Sequence, residues 1–165
     1  MNLKIETITD FSGRELDLAR EIIIFWKTQP AEDNRTRFGT SHPPCEAALA
    51  RLIGNFAVLC LAYDTDTSPA TLIGHAEAGR LHEQPNWAEI SVATDANYRH
   101  QGIGTRLLEA TVASCISQGV IGIKAYVLPY NYGARSLINS LRQYIPIECK
   151  YRQDCCDLEY TAIIG

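Results

Sequence analysis

The stretch Thr94-Asp95-Ala96-Asn97-Tyr98-Arg99-His100-Gln101-Gly102-Ile103-Gly104-Thr105 decides the fold, because it joins two kinds of element. Before it, Trp87 to Thr94 alternates as a strand does. After it, Gly104, Leu108, Val112 and Cys115 recur at helical spacing as far as Gly119, a residue suited to a left-handed cap. A strand that turns through glycines into a helix aims the helix's first N–H groups at whatever occupies the turn. Those groups lack intrahelical partners and carry the positive end of the helix dipole, so the amides from Gln101 to Thr105 suit an anion such as a pyrophosphate. Arg99, His100 and Arg106 add local positive charge. Two other phosphate loops do not fit: no Gly-Lys-Ser/Thr follows, and Leu107 stands where a dinucleotide fingerprint has its third glycine. By spacing alone the glycine pair reads either as a phosphate cradle or as a tight turn.

Working outward, Lys4 to Thr9 alternates like a strand, and Ser12 with Glu15 reads as a capping box ahead of Leu16, Ala19, Ile23 and Trp26 on one helix face. That helix ends before Pro30. Lys27 to Thr40 is polar, bears both signs of charge and reads as a solvated connection. Pro43 and Pro44 open a second helix that buries Cys45, Ala48, Leu49, Leu52 and Ile53 and closes at Gly54. Three strands, Asn55 to Tyr63, Thr71 to Leu81 and Trp87 to Thr94, predict an antiparallel meander. Beyond the glycine loop come a buried strand from Val120 to Leu128, a helix capped by Asn131, and closing strands at Ile147 to Lys150 and Asp157 to Ile164. This order predicts an α/β protein of the α+β type: a mixed, mostly antiparallel sheet of about seven strands with helices on both faces.

The 165 residues predict one domain spanning 1–165. A net charge of -4 lacks the basic excess that a phosphate-backbone binder needs, which argues against nucleic acid. No apolar h-region opens the chain, and its apolar runs fall far short of the roughly 20 residues of a membrane span, so the expectation is a cytoplasmic protein with no membrane partner. Six cysteines without a Cys-x-x-Cys pair read as reduced, small apolar side chains. No histidine pair has metal-ligand spacing, so no metal is expected. Trp26 and Trp87 read as core or rim residues.

Arg99-His100-Gln101-Gly102-Ile103-Gly104 resembles the Arg/Gln-x-x-Gly-x-Gly/Ala loop of the GNAT superfamily of acyl-CoA N-acyltransferases, and the resemblance extends over nearly the whole chain. Leu128-Pro129-Tyr130-Asn131 with Ala134, Ser136 and Leu137 is similar to the family's second motif, whose asparagine contacts the pantetheine arm; a plain N-cap role for Asn131 is compatible with this. Ala88 to Val92 and Arg135 to Ile138 look most like the acetyltransferase domain of bacterial protein lysine acetyltransferases. The resemblance implies acetyl-CoA as co-substrate, with Arg99, His100, Gln101, Gly102, Ile103, Gly104 and Thr105 around the pyrophosphate. It further implies that Val92, Ala93, Thr94 and Leu128 line the slot between two splayed strands, that Asn131 and Ser136 contact the cofactor, and that the Val92 amide polarises the thioester carbonyl.

One departure stands out: Ile138 occupies the position where many members carry a tyrosine that protonates the departing thiolate. Tyr130, Tyr132 and Ser136 lie nearby. Glu89 matches the glutamate that acts as general base in protein lysine acetyltransferases, with Glu77 on the neighbouring strand as substitute. The bland alternative is that a hairpin through Glu83 to Asn86 sets Glu89 opposite Arg80 in a cross-strand ion pair. The implied activity is direct acetyl transfer to a primary amine, either a protein lysine or a small molecule such as a polyamine or aminoglycoside. A non-catalytic acyl-CoA-binding regulatory domain is the alternative. The family's acceptor region corresponds to Lys27 to Thr40, and the chain is expected as a monomer or homodimer.

Overall fold

Four strands rich in β-branched and small apolar residues, β1 (Leu3–Ile8), β2 (Phe56–Asp64), β3 (Thr71–Arg80) and β4 (Trp87–Thr94), pair antiparallel in sequence order. A computed structural model of the chain describes residues 1–38 and 42–165, Phe38 by its backbone alone. β4 then pairs in parallel with β5 (Gly122–Val127). β7 (Asp157–Ile163) lies between β5 and β6 (Glu148–Arg152), giving seven strands in the order β1-β2-β3-β4-β5-β7-β6. The α+β sheet read from the sequence is the one formed.

Because side chains alternate across a sheet, β2 to β4 feed two cores. Cys60, Ala76, Ala78, Ala88 and Ile90 pack beneath α4 (Ile103–Ser117), whose Ile103, Leu107, Leu108, Val112 and Cys115 form its buried stripe. On the other face Leu59, Leu61 and Ala93 meet α1 (Glu15–Thr28) and α3 (Glu46–Ile53) through Leu18, Ile22, Ile23, Trp26, Leu49 and Ile53. α5 (Tyr132–Ser140) starts at Asn131, whose Oδ1 accepts from Ala134 N at 3.1 Å, so the N-cap reading holds. No described helix is long and apolar enough to cross a membrane.

Three local expectations are corrected. The capping box does not form: Asp10 Oδ1 takes the Ser12 amide at 3.1 Å, Gly13 turns the chain at φ 72°, and α1 begins at Glu15 after Arg14, with no side-chain cap. The segment read as a solvated connection contains a helix, α2 (Ala31–Phe38); the Gly39 and Thr40 part of that reading lies outside the described residues. α2 lacks apolar periodicity because it turns polar groups inward: Asn34 is 3% exposed, and its Nδ2 donates to Trp26 O at 3.1 Å. Finally, the β3–β4 register pairs Glu89 with Gly79 and Arg80 with Ala88. A one-residue offset puts Arg80 on the opposite face from Glu89, where its guanidinium donates to the carbonyls of Pro85 and Gln118, both at 2.9 Å.

Gly74 of β3 lets β4 and α4 close over it. A Cβ there would lie 2.8 Å from Ala93 O and 3.1 Å from Leu107 Cδ1. Gly74→Ala is expected to destabilise the fold by about 1–3 kcal/mol in denaturant unfolding; a change below about 0.5 kcal/mol would show that the strand and helix have room to separate.

Candidate active site

β4 and β5 pair at only three positions, Trp87↔Gly122, Ala88↔Ile123 and Glu89↔Lys124. β4 continues along β3 as far as Gly74↔Thr94, and β5 continues along β7 as far as Val127↔Leu158, so the two strands part beyond Glu89. In an antiparallel ladder alternate residues direct both backbone groups to the same neighbour. At one end of β4, Trp87 O accepts from Leu81 N at 3.0 Å; just past the other, Asp95 N donates to Ile73 O at 2.9 Å. With no register shift between them, odd-numbered residues spend their backbone on β3. The even-numbered ones, Val92 included, present N–H to the opening beside β5.

At the head of the opening, the chain passes a short 3-10 turn (Ala96–Tyr98) started by Asp95, whose Oδ1 takes the Asn97 amide at 2.8 Å. His100 and Gly102 have φ of 61° and 78°. The left-handed conformation at Gly102 favours glycine and delivers the chain into α4. Arg106 N to Gly102 O, 3.1 Å, is the first bond of that helix, so the amides of Ile103, Gly104 and Thr105 precede it and have no carbonyl within the helix. Arg99, His100, Gln101 and Gly102 are exposed, while Gly104 and Thr105 are half-buried. A Cβ on Gly104 would come into van der Waals contact with Leu137 Cδ2 at 3.4 Å and Thr94 Oγ1 at 3.5 Å, so only a side chain larger than alanine's would press on α5 and β4. The space a side chain would take there faces α5 and β4.

On the α1 face a chain of buried polar groups runs toward Glu89. Trp26 Nε1 donates to His75 Nε2 at 2.9 Å, and His75 Nδ1 lies 2.9 Å from Glu77 Oε2. Nε2 is therefore the acceptor nitrogen, and the proton sits on Nδ1, donating to the Glu77 carboxylate. Burial, reinforced by the nearby Arg37 cation, pushes the His75 pKa down to about 3, which keeps the ring neutral. The second Glu77 oxygen is ion-paired with the Arg37 guanidinium of α2. Glu89 shares this face. Its side chain reaches solvent, yet desolvation raises its carboxyl pKa above the usual range, with Arg37 pulling the other way.

The remaining expected residues fall around the opening. Val92, Thr94, Leu128 and Asn131 are half-buried, Ala93 is buried in the core under α1, and Ser136 is exposed on α5. Tyr130 and Tyr132 are 63% and 73% exposed, with Arg135 over the Tyr132 ring. Glu77 is 5% exposed and committed to His75 and Arg37, which removes it as the substitute base. Among the described residues no three His, Cys, Asp or Glu side chains stand together as metal ligands. Sequence reading missed Gln29, Asp33 and Arg37. Gln29 Nε2 donates to Asp95 Oδ2 at 2.8 Å, Ala96 N donates to Gln29 Oε1 at 3.2 Å, and Asp33 pairs with Arg99 at 2.5 Å, so the α1–α2 corner is fastened to the glycine loop. Only the His75-x-Glu77 spacing, two residues on one strand face, left a trace in the sequence.

An opening between parallel strands, with a glycine-led helix start at its head, offers unpaired backbone amides to a ligand. Residues 22–141 match the acetyltransferase (GNAT) family, and the chain belongs to that family. No curated protein sequence matches it. Among solved structures its fold is similar to the GNAT domain of S. lividans PAT, at 16% identity and TM-score 0.74 over 96% of this chain and 89% of that one. It is also similar to diaminobutyrate acetyltransferase EctA from Paenibacillus lautus, solved with its substrate and coenzyme A, at 15% identity and TM-score 0.69 over 99% and 96%. A phosphinothricin acetyltransferase from Sinorhizobium meliloti in complex with AcCoA aligns at 17% identity and TM-score 0.66 over 100% and 90%. The protein is accordingly an acetyl-CoA-dependent N-acetyltransferase, with acetyl-CoA as co-substrate.

Gly104→Val pushes on Leu137 and Thr94 and should displace the first turn of α4. Acetyl-CoA affinity, read by calorimetry on the folded variant, is expected to fall at least about tenfold, roughly 1.4 kcal/mol; unchanged affinity would remove the helix start from the binding site.

Proposed function

We propose that residues 1–165 form one catalytic unit that moves an acetyl group directly to a primary amine, with Glu89 as general base and the Val92 amide as donor to the thioester carbonyl. The observation that carries this reading is the parting of β4 and β5 just after Glu89, with the Val92 N–H turned into the opening. When bound, acetyl-CoA supplies an acyl group already activated as a thioester. The amides at the head of α4, with Arg99, His100 and Gln101, suit its pyrophosphate, while Val92, Thr94, Leu128, Asn131 and Ser136 suit its pantetheine arm.

An alkyl amine of pKa about 10.4 is protonated at neutral pH, and freeing its lone pair there costs roughly 4.6 kcal/mol. Glu89 takes that proton before attack, the freed amine adds to the thioester carbonyl, and as the tetrahedral adduct collapses the C–S bond breaks and the second nitrogen proton is released to water. The departing thiolate needs no acid from Ile138, since a thiol of pKa near 8.5 leaves readily and takes its proton from water. The acceptor we favour is a protein lysine: Glu89 is exposed at the mouth, where an amine on a long flexible arm can reach it. A transfer assay with labelled acetyl-CoA, counting label in proteins and in small amines separately, decides between lysine and a small molecule.

Glu89→Gln is expected to lower turnover on the order of 100-fold at neutral pH, with acetyl-CoA affinity nearly unchanged and part of the rate recovered as pH rises. A variant within about threefold of wild type from pH 6 to 9 would assign deprotonation to another group.

A further inference from the structure

α2 is fastened at two points one helical turn apart on one face: Asp33 to Arg99 of the glycine loop, and Arg37 to Glu77 of β3. The β3–β4 register sets Glu77 opposite Ser91 and Glu89 opposite Gly79, so the two carboxylates are diagonal neighbours on one sheet face. A buried carboxylate next to a second one needs a cation held in a fixed place. Glu77 cannot swing to provide that place elsewhere, because the neutral His75 holds its other oxygen and is itself held by Trp26.

We propose that Arg37 is a positioning residue for Glu89: anchored by the buried Trp26, His75 and Glu77 chain, its guanidinium is ion-paired to the carboxylate diagonal to Glu89 on the same sheet face and favours the ionised form of Glu89 at the mouth of the cleft. The catalytic consequence rests on Glu89 being the base. Arginine suits the task, since its planar fork serves two acceptors and does not lose its charge. The other ionisable groups facing Glu89 are accounted for. Glu77 on β3 opposes its ionisation by like charge. Lys124 is its register partner on β5, with Nζ lying over the Trp87 ring, 5.6 Å from the centroid. Tyr126, further along β5, stands beneath the Arg152 guanidinium and beside Glu159. Removing Arg37 therefore leaves Glu89 with a carboxylate neighbour and a cation drawn toward an indole.

The test is the titration midpoint of the Glu89 carboxyl in the free protein, followed by NMR with carbon-13-labelled glutamate and assigned by loss of the signal in Glu89→Gln. Arg37→Gln should raise the midpoint by about one pH unit, the low end of the shift that a nearby opposite charge gives. Glu77→Gln, which keeps an acceptor for His75, should lower it by about half a unit, and Arg37→Lys should return it close to wild type. Opposite signs from the two partners of one ion pair are what a merely structural pair would not produce. Unshifted midpoints, or shifts of the same sign, would overturn the proposal; should Arg37→Gln not fold, an unchanged or raised midpoint in Glu77→Gln does so alone. The readout needs no acceptor. If the midpoints move as expected while Glu89→Gln retains turnover, the base assignment fails and the Arg37 coupling stands; fixed midpoints with an inactive Glu89→Gln mean the reverse.

Discussion

Parallel pairing between β4 and β5 ends at Glu89↔Lys124, and most of what the site offers depends on that ending. Each strand is fully occupied on its outer side, β4 by β3 as far as Thr94 and β5 by β7 as far as Val127. The sheet can therefore part between them without losing its outer ladders, and the right-handed twist of the strands widens the gap with each residue. Leaving a half-buried amide such as that of Val92 without a ladder partner costs on the order of 1–3 kcal/mol, a cost that a ligand's carbonyl oxygen can recover.

The two faces of the gap are built from different chemistry. Under α4 the core is built mostly of apolar side chains, with the Thr111 hydroxyl turned back to Leu107 O, and Gly74 lets β4 and α4 close over β3. Under α1 and α3 the apolar core is crossed by the Trp26, His75, Glu77 and Arg37 chain, two hydrogen bonds and an ion pair in succession. Gln29 and Asp33 add hydrogen bonds from the same corner to Asp95, Ala96 and Arg99. One short segment, α1's end and α2, thus reaches both the glycine loop and Glu77 of β3, and does so through polar contacts.

That division explains what was legible in the sequence. The meander, the helix after Gly102, the Asn131 cap and the two terminal strands announce themselves by alternation, 3.6-residue spacing or glycine punctuation, and all of them formed. α2 has none of these signals because its inward residues, Asn34 and Arg37, are polar, and hydrophobic periodicity is blind to a helix that buries hydrogen bonds. The Ser12 cap failed through competition from Asp10, two residues away, and the Arg80 partner for Glu89 failed by a single residue of register, which alternation cannot fix. Glu77 and Glu89 looked interchangeable as charges on adjacent strands. Only the fold separates them, one sealed against a histidine and an arginine, the other open to water.

Amide hydrogen exchange at Val92, read by NMR with and without saturating acetyl-CoA, tests the parted strands most directly. In the free protein Val92 should exchange much faster than its neighbours Ser91 and Ala93, whose amides are bonded to β3, and acetyl-CoA should slow it selectively along with the amides from Gln101 to Thr105. Val92 protected as strongly as its neighbours in the free protein, or unaffected by acetyl-CoA, would contradict an opening at this point of the sheet.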